Sequence, residues 1–215
     1  MFTKLIIKKL NQLFGKKTVK IRRKPLKKTI KKKFKNISQK NNSEFQLKSF
    51  CIFGQVFTAL HQCETEKNEL VINENQKTIL INCKSGNGLE NGAKNKKMAV
   101  DGLKNYLLKN YLMENVEKYS RLIGVKPGTV KVKLVKSKWG SCSKSGNLNF
   151  NLLILCLPKH LIDYVIVHEL CHLMEFNHSK KFWILVKTHC PNYKQDILEI
   201  KNLTREVMNL YVGLR

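Results

Sequence analysis

The sequence predicts an α+β fold, with a small antiparallel sheet packed on helices. Three observations support this class. Short runs of β-branched and aromatic residues alternate with turn residues, an amphipathic pattern runs from residue 98 to 123, and an apolar helical pattern surrounds two histidines near residue 170. We divide the chain into a basic arm over residues 1–45, a strand-rich accessory region over 46–93 and a main domain over 94–215.

The N-terminal arm is the most basic part of a chain whose formal net charge is +26. Residues 1–40 contain sixteen Lys or Arg and no acid. Such a block is commonly solvated and flexible, but it also suits non-specific contact with nucleic-acid phosphates. A third interpretation is an amphipathic helix over residues 2–14 that lies on an anionic membrane or directs the chain to an organelle. These three alternatives stay open.

Cysteine usage and hydropathy bear on the compartment. The chain has seven cysteines, an odd number, and no C-x-x-C pair, which disfavours a disulfide framework or a four-cysteine zinc site. No apolar run approaches the roughly 20 residues of a membrane span. We therefore expect a cytoplasmic protein without a transmembrane segment.

The accessory region and the first helix follow from local patterns. Strands are expected over residues 50–60, 69–72 and 78–82, and a loop over the Gly-, Asn- and Lys-rich residues 84–97. A helix over residues 98–123, ended by Gly124, is expected to pack behind the sheet of the main domain.

The main domain continues with a strand and a hairpin. Val130, Val132 and Leu134 alternate with lysines, as in a half-buried strand, and a Gly-containing turn over residues 141–147 leads into a strand over 148–155. The apolar helix with the two histidines follows, and then a shorter helix over residues 179–188 that buries Phe182 and Trp183.

The most informative motif is H-E-x-x-H, formed by His168, Glu169 and His172. On a helix of 3.6 residues per turn the two imidazoles project from one face, while Glu169 lies about 100° around the axis. A buried helix does not carry such a polar trio without partners for it. The spacing predicts a metal site with a carboxylate able to reach a metal-bound water.

A hydrolytic zinc site normally has three protein ligands and one open position. The residues leave two candidates for the third ligand. His178 is favoured because Asn177 can adopt the left-handed conformation that ends a helix and returns the next imidazole to the metal. Glu175 lies on the same helical face, but about 10.5 Å along the axis from His168, and is better placed as a partner of a ligand imidazole.

Several motifs together resemble the YgjP-like metallopeptidase family, relatives of the SprT-type zincins. They are W-G-S-C-S at residues 139–143, H-E-L-x-H-L at residues 168–173 and N-H-S-x-x-F-W at residues 177–183. The resemblance is clear over residues 95–200. It implies a zincin-like fold, zinc held by His168, His172 and His178, and Glu169 as the general base.

The main prediction is a zinc-dependent metallopeptidase acting on a peptide or protein, with Glu169 taking a proton from a zinc-activated water. Two interpretations stay open for the strand beside the metal: it pairs with an extended substrate through backbone hydrogen bonds, or it only supports the helix. Trp139, Asn149 and Asn151 either line the cleft or serve in turns and packing. Two alternatives stay open. One is a nucleotide phosphohydrolase, and the other is a basic nucleic-acid-binding protein whose structural zinc is closed by Glu175 or Cys171. The sequence leaves the oligomeric state unassigned.

Overall fold

A computed structural model describes residues 49–84 and 91–214. The basic arm over residues 1–45, its amphipathic stretch and the predicted contact with nucleic acid lie outside the described residues. The division of the chain at residues 45 and 93 therefore stays a prediction.

A four-stranded sheet begins the described chain. It comprises β1 (Ser49–Ile52), β2 (Gln55–Thr65), β3 (Glu69–Asn73) and β4 (Thr78–Lys84), in the order β1-β2-β4-β3. The single strand expected over residues 50–60 is two strands, because Phe53 and Gly54 both have positive φ (50° and 77°) and turn the chain back on itself. The strands β2 and β4 are parallel, and the other pairings are antiparallel.

The two faces of this sheet differ in burial. One face contributes large apolar side chains to the core, namely Phe50, Ile52, Phe57, Ile79 and Ile81, each at most 2% exposed. On the other face Leu60 and Val71 remain about half exposed. This alternation is what a half-buried sheet requires of a strand sequence.

Two helices joined by a π-helical segment follow: α1 (Asn91–Leu107), the segment Leu108–Leu112, and α2 (Met113–Ile123). The prediction of a loop over residues 84–97 is wrong from residue 91 onward, because α1 begins there. The first turns of α1 are rich in Lys and Asn, a composition that resembles a loop. Gly124 ends α2 with φ of 79°, and its N–H donates to the Ser120 carbonyl. Helix α1 packs on β3, and α2 packs on the histidine-bearing helix.

A second, three-stranded sheet contains β5 (Val130–Lys133), β6 (Gly140–Cys142) and β7 (Leu148–Asn151), in the order β5-β7-β6. The strand β6 was not predicted, because Ser141 and Cys142 fall within the expected turn over residues 141–147. It forms the antiparallel hairpin with β7, whereas β5 pairs with β7 in parallel, so the sheet is mixed. A fully buried 3₁₀ helix, Leu152–Cys156, replaces the end of the strand expected over residues 148–155.

Three helices complete the chain: α3 (Lys159–Cys171), α4 (Lys180–His189) and α5 (Tyr193–Leu214). The shorter helix expected over residues 179–188 is thus α4. Within the described ranges, side chains from both sheets and from the five helices form one apolar core, which confirms the α+β class. Among the helices of the described ranges, none combines the length and the apolar content that crossing a bilayer requires.

Candidate metal centre

The helix α3 is the scaffold of the site. Pro158 precedes it, with an extended conformation that suits the residue before a helix, and the helix is apolar on nearly all sides. Its residues Leu161, Ile166, Val167 and Leu170 are fully buried. A helix held so completely by the core gives its polar side chains fixed directions.

Three imidazoles converge at the C-terminal end of α3. The candidate ligand atoms of His168, His172 and His178 all lie within 4.8 Å of one another. The Nε2 atoms of His168 and His178 are 3.0 Å apart. His178, which the motif did not include, is brought in by the turn between α3 and α4.

The route of that turn differs from the expected one. Helix α3 ends at Cys171 and does not continue to Asn177, and Asn177 does not adopt the left-handed conformation that was expected to end the helix. His178 is instead placed by the start of α4, where the Ser179 side chain caps the helix by accepting from the Phe182 N–H. The side chains of Met174 and Phe176, which follow the end of α3, are more than half exposed.

Each of the first two imidazoles has a partner on its outer nitrogen. The Tyr164 hydroxyl lies 3.3 Å from His168 Nδ1, and the Glu175 carbonyl oxygen lies 3.1 Å from His172 Nδ1. Glu175 was expected as such a partner, and it serves through its backbone. These contacts orient the rings and leave both Nε2 atoms directed inward, the arrangement usual for histidines that bind metals.

The three imidazole rings pack against aromatic side chains. The buried Phe182 ring lies 5.0, 4.6 and 4.8 Å from the rings of His168, His172 and His178, and Trp183 stacks on His178. Burial, with a smaller effect of the neighbouring imidazoles, lowers the pKa of His168 to about 3. Burial also lowers the pKa of His172. The imidazoles of His168 and His172 are thus held in the neutral form, which is the form that binds a metal.

Glu169 is buried, with only 6% of its surface exposed, and contacts the second sheet. A Cβ atom on Gly140 would lie 2.6 to 2.8 Å from the Glu169 carboxyl group, so any larger residue there would force that group to move. Burial raises the pKa of Glu169 to about 7, while Lys138 and the Cys142 N–H act in the opposite direction. A carboxyl group with a pKa near neutrality is suited to accept and return a proton.

A cavity of about 350 Å³ opens beside Glu169. Its walls come from three places in the chain. They are Tyr164, Val165, His168 and Glu169 on α3, Lys138, Trp139 and Gly140 at the start of β6, and Ile197, Ile200, Lys201 and Thr204 on α5. The cavity therefore lies between an edge strand and the C-terminal helix.

The structure brings together most of the residues singled out from the sequence. His168, His172 and His178 cluster, Glu169 adjoins them, and Trp139 lines the cavity. Asn151 is buried and holds backbone groups of residues 135, 138 and 153, and Cys171 is fully buried. Sequence reasoning assigned no role in the site to Lys138, Gly140 or the α5 residues. Gly140 was nevertheless visible as the second residue of the W-G-S-C-S motif.

This geometry defines a class of site: convergent imidazoles beside a buried carboxylate, as in metal-dependent hydrolases. A family model described as the YgjP-like metallopeptidase domain matches residues 9–202, and the chain belongs to that family. Membership makes the protein a metallopeptidase by family, hence a hydrolase. It implies a divalent metal and a peptide or protein substrate.

Two solved structures are similar to part of the chain. The metallopeptidase zymogen abylysin of Pyrococcus abyssi is 22% identical, with a TM-score of 0.36, over 40% of this chain and 91% of that one. The metallopeptidase zymogen jannalysin of Methanocaldococcus jannaschii is 23% identical, with a TM-score of 0.35, over 40% of this chain and 93% of that one. No curated protein matches the sequence.

Proposed function

We propose that this protein is a zinc-dependent peptidase in which His168, His172 and His178 hold the ion and Glu169 is the general base. The observation that carries the proposal is the convergence of three imidazoles, with their candidate ligand atoms within 4.8 Å of one another, next to a buried carboxyl group. Three nitrogen ligands with an open fourth position are the usual donor set of catalytic zinc.

The three imidazoles suit a zinc ion both in their charge and in the hydrogen bonds of their outer nitrogens. Neutral imidazoles are compatible with a divalent cation, whereas protonated ones would repel it. The outer nitrogens of His168 and His172 are already engaged with Tyr164 and Glu175, so their inner nitrogens remain for coordination. Zinc, when bound, acts as a Lewis acid that polarises a carbonyl group and makes water more acidic.

The remaining work falls to residues of the chain. Glu169 accepts a proton as water attacks the peptide carbonyl, and returns a proton to the departing amine. Gly140 leaves space for the carboxyl group, and the Cys142 N–H donates a hydrogen bond to it. The Phe182 ring excludes water from one side of the imidazoles.

Substrate binding would use the cavity between β6 and α5. Because β6 is the edge strand of its sheet and adjoins Glu169, an extended peptide can pair with it through backbone hydrogen bonds. Such pairing binds the peptide backbone, so any preference for particular substrate side chains would come from the α5 wall of the cavity.

The test is metal analysis of the purified protein combined with digestion of casein and a peptide library. We expect Glu169→Gln to retain zinc and to lose turnover by about 10²- to 10⁴-fold, because only the proton acceptor is removed. His168→Ala and His172→Ala should lose the metal itself. Unchanged turnover in Glu169→Gln would remove its assigned role.

A second variant separates the two candidates for the third ligand. Glu175→Gln removes a carboxylate but keeps the backbone carbonyl near His172, so zinc content should match that of the parent protein. His178→Ala should reduce zinc affinity strongly. If Glu175→Gln lost the metal and His178→Ala kept it, the third ligand would be Glu175.

A further inference from the structure

We propose that the cavity beside Glu169 selects substrates with a carboxylate close to the cleaved peptide bond, and that Lys138 and Lys201 recognise it. This inference rests on the proposed peptidase function and adds the substrate class. The carboxylate can belong to an Asp or Glu side chain or to the C-terminus of a peptide.

The two lysines stand on opposite walls of the cavity. Lys138 immediately precedes Trp139 and the edge strand β6, whereas Lys201 lies in the middle of α5. Both side chains are exposed at the cavity, so a substrate can reach their ammonium groups. Within the described ranges, neither lysine forms an ion pair with a carboxylate of the protein.

The charges that line the cavity are unbalanced. Glu169 is the one acidic residue among the lining residues, and the peptidase mechanism already employs it as the base. Lys138 and Lys201 therefore leave an excess of positive charge. The same walls carry apolar side chains, including Trp139, Ile197 and Ile200, which reduce screening by water.

The chemistry of lysine decides what is recognised. A lysine ammonium acts as a point charge on a flexible stem and does not demand the planar geometry that an arginine prefers. Two such charges attract any carboxylate in the cavity and repel a substrate lysine or arginine. We therefore expect discrimination by charge, with little dependence on side-chain length.

The experiment starts from one casein sequence that the zinc-loaded parent protein cleaves. Each of the three residues on either side of the cleaved bond is changed to Glu, Gln or Lys in matched quenched peptides. A second set keeps neutral residues and ends shortly after the cleaved bond, with either a free carboxylate or an amide. The two sets distinguish a side-chain carboxylate from a C-terminal one.

For the preferred position, we expect kcat/KM of the acidic peptide to exceed that of the neutral peptide by about three- to fivefold per lysine at low salt. This ratio should fall in Lys138→Gln and in Lys201→Gln, and should approach one in the double variant. Lys201→Glu should favour the Lys-containing peptide. Raising the salt concentration should reduce the ratio, because exposed charges are screened.

The control is Lys194→Gln, which removes the same charge from an exposed position of α5 outside the cavity. Its ratio should equal that of the parent protein, although the chain is strongly basic overall. Because Lys138 also influences Glu169, the ratio of two peptides is compared and absolute turnover is not. Fluorescence anisotropy of labelled peptides on the zinc-loaded Glu169→Gln background gives the same ratio as a dissociation constant.

Three results would overturn this inference while leaving the peptidase intact. They are cleavage without an acidic preference, a preference that survives in the double variant, and a preference that is lost equally in Lys194→Gln. Failure to cleave any peptide, with zinc bound, would instead overturn the proposed function and this inference with it.

Discussion

The two sheets of the molecule meet the metal helix in different ways. The turn between β1 and β2 of the four-stranded sheet lies at the start of this helix, where the Phe53 N–H donates to the Leu155 carbonyl and Gly54 lies against Pro158. The three-stranded sheet contacts the reactive part, where Gly140 touches Glu169. All residues that line the cavity come from positions 138–204. The comparison indicates that the first sheet supports the core and that the second builds the site.

The strongest test of this comparison is Gly140→Ala. The added methyl group would lie within 2.8 Å of the Glu169 carboxyl group, which must then move away from its position. We expect kcat to fall about 100-fold with zinc content unchanged, since a displaced base loses most of its contribution. Steady-state kinetics and metal analysis measure both. Parent-like kcat would show that the close approach of Gly140 is unimportant for catalysis.

The next effect concerns Asn151 in β7, whose side chain is 1% exposed. It donates to the carbonyls of Val135 and Lys138 and accepts from the Leu153 N–H. Asn151→Ala leaves these backbone groups unsatisfied, so we expect the free energy of unfolding to fall by about 2–3 kcal/mol. Urea denaturation measures the change.

The same variant should also weaken catalysis, because the segment that Asn151 holds leads directly into Gly140. Asn149→Ala is the matched control, since Asn149 lies in the same strand and is only partly buried. Equal destabilisation by the two variants would contradict the role assigned to Asn151.

A smaller effect is expected from Tyr164→Phe. The hydroxyl group of Tyr164 contacts His168 Nδ1, and its removal leaves the imidazole less well oriented. We expect zinc affinity to fall about tenfold, at the lower end of what outer partners of ligand histidines contribute. Competition with a chelator measures it. Tyr193→Phe removes a hydroxyl group from a ring stacked on Trp183 and should leave zinc affinity unchanged.

The smallest effect tests the four-stranded sheet. A Cβ atom on Gly102 of α1 would lie 2.8 Å from the Leu70 Cβ atom in β3. Alanine favours a helix over glycine, but the clash forces α1 away from the sheet, so we expect a net loss of about 1 kcal/mol. Thermal unfolding measures this loss. Reduced kcat with unchanged stability would contradict the separation of roles between the sheets.

Much of the local structure was predictable because local periodicity encodes it. The alternation of Val130 and Val132 in a strand, the helix end at Gly124 and the start of a strand at Leu148 all appear as expected. The errors fall where composition and packing disagree. The start of α1 is rich in Asn and Lys, and a fully buried 3₁₀ helix over residues 152–156 has the same apolar composition as a buried strand.

For the candidate site, the spacing of His168, Glu169 and His172 sufficed to bring three polar side chains to one end of a helix, because a helix turns by a constant angle per residue. Only the tertiary structure decided how His178 reaches them, why residue 140 is glycine, and that Lys201 on α5 faces the cavity. Those contacts join positions far apart in the chain. Local periodicity therefore cannot predict which distant side chain packs into a given space.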